Sequence, residues 1–277
     1  MENFSVMMKV FICSLFTALL LLSSPATSQE VEDEHEFNYD ENSEIGPSHW
    51  GDIKPEWSLC KTGRMQSPID LNITSVLVKL SGPLILNYNP SNAILKNRGH
   101  DISLEFLENT SNLQINGSSY ILKQLHWHTP SEHTINGQRL DLELHLVHQT
   151  PSNDKIAVIG ILYKIGIKPD NLLSLLNEGL MSLSGSSNGA NVSVGVIDPR
   201  EVNINKNMYY RYMGSLTTPP CSENVTWTIP KQIGSVTRDQ INLLRDAVHD
   251  DSNDNARPIQ PTNNRTLELN IPKYIFN

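Results

Sequence analysis

Residues 124–128 of the chain read QLHWH, and residues 141–146 read DLELHL. In both segments polar and apolar residues alternate, which is the period-two pattern of a β-strand. Residues two apart on a strand point to the same face, so His126 and His128 share one face of the first segment. His145 can face the same point from the second segment. The two segments therefore predict neighbouring strands that bring three imidazole rings together.

Other parts of the chain have the same character. Residues 101–106, DISLEF, also alternate. Residues 156–163, IAVIGILY, form the continuous apolar run expected of a strand that is buried on both faces. Asn116-Gly117 predicts a tight hairpin turn between two short strand segments.

Helical spacing of apolar residues is confined to residues 170–180 and 237–248. The second segment begins with Thr237 and has Gln240 three residues later, which is the pattern of an N-terminal capping box. The body of the chain contains neither an internal repeat nor a dividing linker. We therefore predict a mainly β fold in a single domain, with short peripheral helices.

The histidine pattern indicates metal binding. Three neutral imidazoles that converge on one point form an open zinc site, in which the fourth position is left for water. Gln124 shares a strand face with His126, and Glu143 shares one with His145. Such groups accept hydrogen bonds from the outer ring nitrogens and fix the tautomer of each ligand. The alternative is that these histidines are ordinary core or surface residues.

Two further histidines of this region point elsewhere. His148 falls on the opposite strand face from His145, and His133 directly follows Glu132. We interpret His133 and His148 as structural residues. The chain has no His-Glu-x-x-His segment, so its sequence does not indicate a zinc peptidase.

The overall charge excludes one class of function. The 277 residues include 21 Lys and Arg against 30 Asp and Glu, a formal net charge of −9. A nucleic-acid-binding protein needs a basic surface to neutralise phosphates, so this class is not indicated. Seven of the acids lie within residues 30–41, which contain no Lys or Arg. We predict that residues 29–45 form an acidic, disordered arm, with a docking segment as the alternative.

The first 28 residues have the features of a secretory signal peptide. Lys9 precedes an apolar run over residues 10–22, and Pro25 and several small residues follow it. The run is too short to span a bilayer comfortably and has the length of a signal-peptide core. We therefore predict a signal peptide over residues 1–28, with an uncleaved membrane anchor as the alternative.

Cysteine usage agrees with an oxidising compartment. Cys13 lies in the leader, so Cys60 and Cys221 remain, and they form either one disulfide or two free thiols. The chain also carries Asn-X-Ser/Thr sequons, and we predict N-glycosylation of some of them. The acceptor asparagines are Asn72, Asn109, Asn116, Asn191, Asn224 and Asn264.

The histidine segments belong to a longer, ordered series of motifs. The series is SHWG at 48–51, QSPID at 66–70, NRGH at 97–100, QLHWH at 124–128, SEHT at 131–134, ELHLVH at 143–148, SLTTPPC at 215–221, VTW at 225–227 and NARP at 255–258. In this order, and over nearly the whole body of the chain, the series resembles the α-class carbonic anhydrases of the secreted plant type. We accordingly place a catalytic domain at residues 46–277.

The resemblance implies a twisted, mostly antiparallel central β-sheet with a conical cleft that ends at zinc. It also implies zinc-dependent, reversible hydration of carbon dioxide to bicarbonate and a proton, by attack of zinc-bound hydroxide. Thr217 matches the hydroxyl that orients this hydroxide and donates to a buried carboxylate, here Glu132. His100 matches the group that carries the proton to solvent. The residues that match the zinc ligands are His126, His128 and His145.

The resemblance extends to the substrate pocket and the cysteines. Cys60 and Cys221 match the disulfide of secreted members, which is implied to brace the loop that carries Thr217. The residues that match the carbon dioxide pocket are Val147, Val158, Leu216, Thr217, Thr218 and Trp227.

The expected activity is that of a carbonate dehydratase, a zinc lyase with small-molecule substrates. Neither a nucleic-acid partner nor a membrane span in the mature chain is expected. The signal peptide predicts the secretory pathway, which leads to the apoplast or, by a route known for plant relatives, to the chloroplast stroma. Two alternatives stay open, namely a non-catalytic storage or binding protein on the same fold and a zinc hydrolase with another substrate. Some relatives are storage or binding proteins that have lost a ligand histidine, whereas all three are present here.

Overall fold

The structure of the chain is a computed structural model, which describes residues 36–248 and 254–273. The predicted signal peptide and residues 29–35 of the predicted acidic arm lie outside this part. Among the residues described, no helix has the length and apolar character that crossing a membrane requires.

A large mixed sheet organises the fold, and a small sheet of three short strands lies beside it. The strands are β1 (Asp70–Leu71), β2 (Leu77–Ser81), β3 (Ile85–Asn87), β4 (Ser91–Asn97), β5 (Ile102–Phe106), β6 (Asn112–Ile115), β7 (Ser118–His128), β8 (Thr134–Ile135), β9 (Gln138–Arg139), β10 (Leu142–Gln149), β11 (Ile156–Ile165), β12 (Asn191–Ile197), β13 (Tyr209–Ser215), β14 (Glu223–Pro230), β15 (Gly234–Val236) and β16 (Glu268–Pro272). The large sheet follows the order β12-β4-β5-β7-β10-β11-β14-β13-β16-β2, and β1, β8 and β9 form the small one.

Most neighbouring strands of the large sheet are antiparallel, as predicted. The exceptions are the parallel pairs that β11 makes with β14 and β15, and the pair of β16 with β2. The mainly β fold class is thereby confirmed. The predicted hairpin is also present, because β6 and β7 are joined at Asn116 and Gly117, whose φ angles are 50° and 81°. Such positive φ angles are what a two-residue turn between twisted strands requires.

In the part of the chain that the structure describes, the helices are few, short and peripheral. They are α1 (Trp50–Ile53), α2 (Leu59–Thr62), α3 (Asn171–Leu175), α4 (Asn177–Leu183) and α5 (Arg238–Val248). Three 3₁₀ turns accompany them, at Pro55–Trp57, Ile73–Ser75 and Pro199–Glu201. The capping box predicted for the last helix is confirmed. The amide of Gln240 donates to the hydroxyl of Thr237, and the amide of Thr237 donates to the side chain of Gln240.

The two faces of the large sheet carry different apolar clusters. One cluster contains Leu144 and Leu146 of β10 and packs against α3, α4 and α5. The other contains Val147 of β10 together with Val158 of β11 and Trp227 of β14. Because side chains alternate along β10, His145 points to the same face as Val147. The histidines therefore open onto the face that is not covered by the helices.

Residues 36–45 differ from the predicted disordered arm. They form turns closed by a hydrogen bond from the amide of Asn38 to the carbonyl of Ile45. Phe37 is only 1% exposed, because it packs in a small aromatic cluster with Trp50, Trp57 and the Cys60–Cys221 pair. The prediction of a disordered arm rested on the acidic residues of this segment. In the structure, the favourable burial of the Phe37 ring outweighs the tendency of these acids to stay in water. Residues 36–45 of the predicted arm therefore pack against the rest of the chain instead of lying free in solvent.

Candidate metal centre

The three predicted ligands lie on the adjacent strands β7 and β10. His126 is directly opposite His145 in the antiparallel register, and His128 follows two residues later on the same face of β7. Each of the three is at most 1% exposed. The alternation seen in the sequence therefore ends in a buried cluster of three imidazole rings.

The inner ring nitrogens of the three residues converge. One nitrogen from each ring lies within 4.8 Å of the other two. Nε2 of His126 and Nδ1 of His145 are 3.2 Å apart. Two nitrogens bound tetrahedrally to one zinc at about 2.0–2.1 Å are separated by about 3.4 Å, so the spacing suits a shared zinc ion. Nε2 of His128 is buried and has no hydrogen-bond partner among the residues described.

The outer ring nitrogens all have oxygen partners, which fixes the direction of each ring. These contacts are Nδ1 of His126 to Oε1 of Gln124 at 2.9 Å, Nδ1 of His128 to the carbonyl of Asn255 at 2.8 Å, and Nε2 of His145 to Oε1 of Glu143 at 2.9 Å. An outer nitrogen that donates its proton leaves a lone pair on the inner nitrogen. Three inward lone pairs repel one another unless a cation lies between them. The donor set therefore fits a metal ion, and three imidazoles with an open position fit zinc.

The surrounding charges also favour a cation. Burial holds the pKa of His126 well below its ordinary value, and the nearby Arg98 adds to this effect, so the ring is neutral as a ligand must be. Burial acts to lower the pKa of His128 as well, but Glu132 and Asp101 outweigh it and raise that pKa. The carboxylates thus stabilise positive charge at the centre of the cluster.

Glu143 is shared by two histidines and two backbone amides. Its Oε1 accepts from Nε2 of His145 and, at 2.7 Å, from Nδ1 of His133. Its Oε2 accepts from the amides of Glu132 and His133, at 2.9 and 2.8 Å. Burial would raise the pKa of Glu143, but His133 and His145 hold it well below the usual range. The carboxylate is therefore ionised and fully hydrogen-bonded.

His133 also belongs to the hydrogen-bonded group around Glu143, although its position in the sequence did not indicate this. Its Nε2 contacts the hydroxyl of Tyr212 at 2.7 Å, and that hydroxyl is 2.9 Å from Oγ of Ser67. Our interpretation of His133 as structural is thus too narrow, because its ring fixes the carboxylate that orients His145. His148 does point to the other face, where its Nε2 accepts from Tyr88 at 2.7 Å.

The predicted catalytic carboxylate, Glu132, lies beside the ligands. Its Oε1 accepts from the amide of Arg257 at 2.9 Å. Its Oε2 is 3.7 Å from Nε2 of His128 and has no hydrogen-bond partner in the described ranges. The direct hydrogen bond from Thr217 that the resemblance implies is therefore not formed in this structure. Thr217 itself is 2% exposed, in the loop between β13 and β14.

The predicted apolar wall is assembled by the strand register. Val147 of β10 is opposite Val158 of β11, and Val158 is opposite Trp227 of β14. Leu216 joins the same cluster, and the Trp227 ring lies edge-on to the His145 ring at 4.8 Å between centroids. Thr218 is 1% exposed, and its hydroxyl has no partner among the residues described. An apolar surface with a few polar groups therefore adjoins the imidazole cluster.

The disulfide predicted from the two mature cysteines is confirmed, because Cys60 and Cys221 are bonded across 161 residues. Gln66 donates to the carbonyl of Cys221, and the Arg257 guanidinium donates to the carbonyl of Cys60 and to Gln66. Arg257 is 1% exposed, and the amide of the same residue donates to Glu132. The disulfide, the loop after Thr217 and the Glu132 carboxylate are thus connected through one buried arginine.

His100 lies between residues 36–45 and the metal side of the sheet. It is 3% exposed, and its ring is 5.1 Å from the Phe37 ring. Its carbonyl accepts from Nδ2 of Asn255, the residue whose own carbonyl accepts from the ligand His128. The imidazole of His100 is therefore buried against an aromatic ring of residues 36–45.

Three residues that matter to the site were not selected from the sequence. They are His133, Asn255 and Arg257. All three belong to motifs that carried the resemblance, SEHT at 131–134 and NARP at 255–258. Their roles depend on contacts with strands far away in the chain, and no local period of the sequence reports such contacts.

Comparison with known proteins gives consistent results. The family model for eukaryotic-type carbonic anhydrase matches residues 45–271. Alpha carbonic anhydrase 7 of Arabidopsis thaliana is 51% identical over 276 residues, which cover 98% of this chain and 99% of that protein. Dioscorin DB3S of Dioscorea polystachya is 43% identical and covers 90% of this chain and 92% of its own length.

Solved structures show the same relationship. A crystal structure of dioscorin complexed with ascorbate has a TM-score of 0.81 and 42% identity, and the match covers 84% of this chain and 97% of that one. An α-carbonic anhydrase from Thermovibrio ammonificans, solved with the inhibitor sulfanilamide, has a TM-score of 0.74 and 35% identity, over 84% and 98% of the two chains. With the sheet, the three-histidine cluster and these matches in agreement, the chain belongs to the α-carbonic anhydrase family.

Proposed function

We propose that the chain is a zinc enzyme that catalyses the reversible hydration of carbon dioxide to bicarbonate and a proton. The observation that carries the proposal is the imidazole cluster, in which each outer ring nitrogen has an oxygen partner and the inner nitrogens converge. His126, His128 and His145 would hold the ion. Zinc in such a site supplies a Lewis acid that makes water nucleophilic at neutral pH.

The apolar wall would hold the substrate. Carbon dioxide is small and uncharged, so it needs an apolar surface next to the metal rather than a charged clamp. Val147, Val158 and Trp227 form a continuous row on three adjacent strands, and Leu216 adjoins them. The hydroxyl of Thr218, which has no partner within the described ranges, would donate to or accept from the oxygens of bicarbonate.

Thr217 and Glu132 would orient the nucleophile. Oε2 of Glu132 is buried and has no hydrogen-bond partner among the residues described, so it is available to accept a hydrogen bond from the Thr217 hydroxyl. The Thr217 oxygen would then accept a hydrogen bond from the attacking group, which directs the lone pair of that group at carbon. The backbone of Arg257 and the loop bonded to Glu143 hold Glu132 in place. Such orientation is what a hydroxyl relay contributes to an otherwise freely rotating nucleophile.

His100 would carry the proton away from the centre. An unperturbed imidazole changes protonation near neutral pH, which suits this task. Its backbone is tied to the ligand strand through Asn255, which keeps the ring at a constant position relative to the metal.

The family also supports one alternative. Dioscorins are among the close relatives, and one of them is described as complexed with ascorbate. A storage or binding protein would not need the complete ligand set, the ionised Glu143 or the open carboxylate oxygen of Glu132. All three of these features are present, which favours the proposal that the chain is an enzyme.

The remaining proposals concern maturation. We propose cleavage of the leader, passage through the secretory pathway to the apoplast or chloroplast stroma, and glycosylation of some sequons. The disulfide supports an oxidising route. All six sequon asparagines are exposed, at Asn72, Asn109, Asn116, Asn191, Asn224 and Asn264.

One experiment tests the proposed function directly. Carbon dioxide hydration and zinc content are measured on the same sample of mature protein, beside a Thr217→Ala variant. We expect one zinc per chain in both proteins and a rate about a hundredfold lower in the variant, because the orienting hydrogen bond is lost. Full zinc without hydration in the wild type would favour the binding protein. Equal rates in the two proteins would remove Thr217 from the mechanism.

A further inference from the structure

An open groove lies on the surface beside the small sheet, and one of the predicted glycosylation sites lines it. The groove has a volume of about 520 Å³, which is within the range of ordinary ligand sites. We refer to it as the Asn72 groove. Its lining residues are Asp70, Asn72, Ile73, Thr74, Asn136 and Gly137. A sugar linked to Asn72 therefore starts at the wall of a groove that is large enough to hold it.

The side chain of Asn72 has a fixed direction. Its Oδ1 accepts from the amide of Thr74 at 3.0 Å and from the hydroxyl of Thr74 at 2.7 Å. These bonds fix the plane of the side-chain amide, and Nδ2, the atom to which a glycan is linked, has no protein partner among the residues described. Of the six sequons, all of which lie in the described ranges, Asn72 alone is bonded to the hydroxyl of its own sequon. We therefore expect a sugar on Asn72 to have one orientation.

The groove carries groups that suit a sugar ring. Oδ1 of Asp70 accepts from Oγ1 of Thr134 at 2.6 Å and from the amide of Gly137 at 2.8 Å. Oδ1 of Asn136 accepts from the amide of Ile73 at 3.1 Å. Oδ2 of Asp70 and Nδ2 of Asn136 have no partner in the described ranges, so the first can accept from a sugar and the second can donate to it. The Ile73 side chain is 49% exposed and offers an apolar surface to the C–H groups of the ring.

The two sides of the groove come from segments that are distant in the chain. One side is the 3₁₀ turn Ile73–Ser75 that follows β1, and the other is the turn at Asn136 and Gly137 that joins β8 to β9. The pairing of β1 with β8 covers only two residues of each strand. The β8–β9 turn is therefore fastened to this side by few contacts, and such a segment opens locally.

We propose that Asn72 carries an N-glycan whose first N-acetylglucosamine lies in the Asn72 groove and braces the β8–β9 turn against residues 72–75. The sugar ring packs on Ile73, and its polar groups bond to Asp70 and Asn136. This inference rests on the proposed glycosylation of the chain. It adds which sequon carries a structural glycan and what that glycan does.

The linkage step leaves the turn at Asn72 intact. Nδ2 of Asn72 loses a proton to solvent and forms a bond to C1 of N-acetylglucosamine. The bond between C1 and the diphosphate of a lipid-linked oligosaccharide breaks, and the lipid diphosphate leaves with the electron pair of that bond. Oδ1 stays an amide oxygen, so both bonds from Thr74 persist in the glycosylated protein.

Hydrogen exchange measures the brace directly. The amides of Ile73 and Gly137 form the bonds that cross the groove, so their exchange reports how often it opens. Zinc-loaded protein is prepared without glycans from a bacterial host, with high-mannose glycans from a eukaryotic host, and after endoglycosidase treatment that leaves one N-acetylglucosamine at each site. We expect both amides to exchange about ten times more slowly in the two glycosylated forms, equivalent to about 1.4 kcal/mol.

The β6–β7 hairpin is the matched control. It has an Asn-Gly turn with φ angles of 50° and 81°, against 50° and 76° at Asn136 and Gly137, and its Asn116 begins a sequon of its own. Exchange of amides 112–119 should be equal in all three forms, even where Asn116 is glycosylated. A tenfold slowing there as well would show that glycans protect such turns in general, and would overturn the brace.

A variant separates packing in the groove from attachment. Ile73→Ser keeps the Asn-X-Thr sequon and the backbone amide but removes the apolar surface. In the glycosylated variant the protection of the Gly137 amide should fall about threefold relative to glycosylated wild type, whereas the unglycosylated proteins should exchange alike at this amide. Equal protection in the two glycosylated proteins would refute packing on Ile73 and overturn the brace.

Occupancy of each sequon, measured by glycopeptide mass spectrometry, separates this inference from the proposed glycosylation. If no sequon is occupied, both fail. Glycans on other sequons but not on Asn72 would overturn this inference alone. A glycan on Asn72 that leaves the amides of Ile73 and Gly137 exchanging as in the unglycosylated protein would overturn it as well. Slow exchange that persists with a single sugar supports it.

Discussion

The metal centre and the region around His100 both bury histidines, but they do so by different means. At the metal centre, His126 and His145 are opposed by strand register, and each outer nitrogen has an oxygen partner two residues away on the same strand. At His100, the cover is an aromatic ring more than sixty residues away in the chain, held by packing on Trp50. Directional hydrogen bonds within neighbouring strands thus fix the ring orientations at the metal centre, whereas at His100 the neighbouring ring is held by non-directional packing.

The largest expected effect is the loss of zinc on removing one of the three histidines of the metal centre. His126→Ala should lose zinc and hydration activity together, because two imidazoles do not hold an open site tightly. Zinc content by mass spectrometry and the hydration rate are measured on the same sample. His49→Ala, at an exposed histidine, is the matched control and should keep both. A zinc-replete, fully active His126→Ala protein would refute the ligand assignment.

The next largest effect is the loss of stability on removing the disulfide, which packs against Phe37. Replacing Cys60 and Cys221 by serine should lower the free energy of unfolding by about 2–5 kcal/mol, because the bond closes a very long loop. Urea unfolding of zinc-loaded protein provides the measurement. An unchanged unfolding midpoint would show that packing and Arg257 hold this region without the bond.

A third prediction uses His148, a buried histidine outside the metal centre. Its Nδ1 donates to the carbonyl of Ala157 and its Nε2 accepts from Tyr88, and burial lowers its pKa from 6.5 to about 4. Above pH 6.5 the ring is neutral in both the folded and unfolded states. Between pH 6.5 and 4 only the unfolded state gains the proton, so folding should lose about 3 kcal/mol over this interval.

The measurement is urea unfolding across that pH range in wild type and His148→Gln. The slope of the unfolding free energy against pH should be smaller in the variant by up to about 1.4 kcal/mol per pH unit, the contribution of one proton. Identical slopes would show that other groups cause the acid sensitivity. Both proteins are compared without zinc, so that release of the metal does not contribute to the slopes.

The smallest expected effect is a reduced zinc affinity when the His126 ring loses its hydrogen-bond acceptor but is itself retained. Gln124→Ala removes the acceptor of Nδ1 of His126, and zinc affinity should fall about tenfold. Competition with a chromogenic chelator measures the affinity. Gln114→Ala, at a partly exposed glutamine near the β6–β7 hairpin, is the control that should not change it. Equal affinities would mean that strand register alone orients the His126 ring.

Much of the fold and the ligand set could be predicted because their causes are local. Alternation in residues 141–146 placed His145 on a defined face of β10, and the apolar run at 156–163 is the buried strand β11. Gln124 and Glu143 could be found by the same period of two, and both contact the expected rings. The capping box at Thr237 was equally local, since both of its hydrogen bonds span three residues.

Residues 36–45 could not be predicted in this way, because their contacts are not local. Their acids predicted a solvated arm, and nothing in the neighbouring residues reveals that Phe37 has a place among Trp50, Trp57 and the disulfide. His133 was likewise set aside, although it is bonded to Glu143 ten residues later and to Tyr212 on β13. In both cases the partner belongs to another element, and only the assembled chain brings the two together.

The sequence by itself determined the mainly β architecture, the faces of the strands and the three histidines that converge. The alternation of side chains between two faces is a property of the strand backbone. It can therefore be predicted from neighbouring residues alone. The tertiary structure alone decided that Glu143 is shared by two histidines, that Arg257 connects the disulfide to Glu132, and that Phe37 covers His100. These contacts depend on how distant segments pack. The burial of each side chain and the distance to its partner are set only when the sheet, the loops and residues 36–45 are assembled.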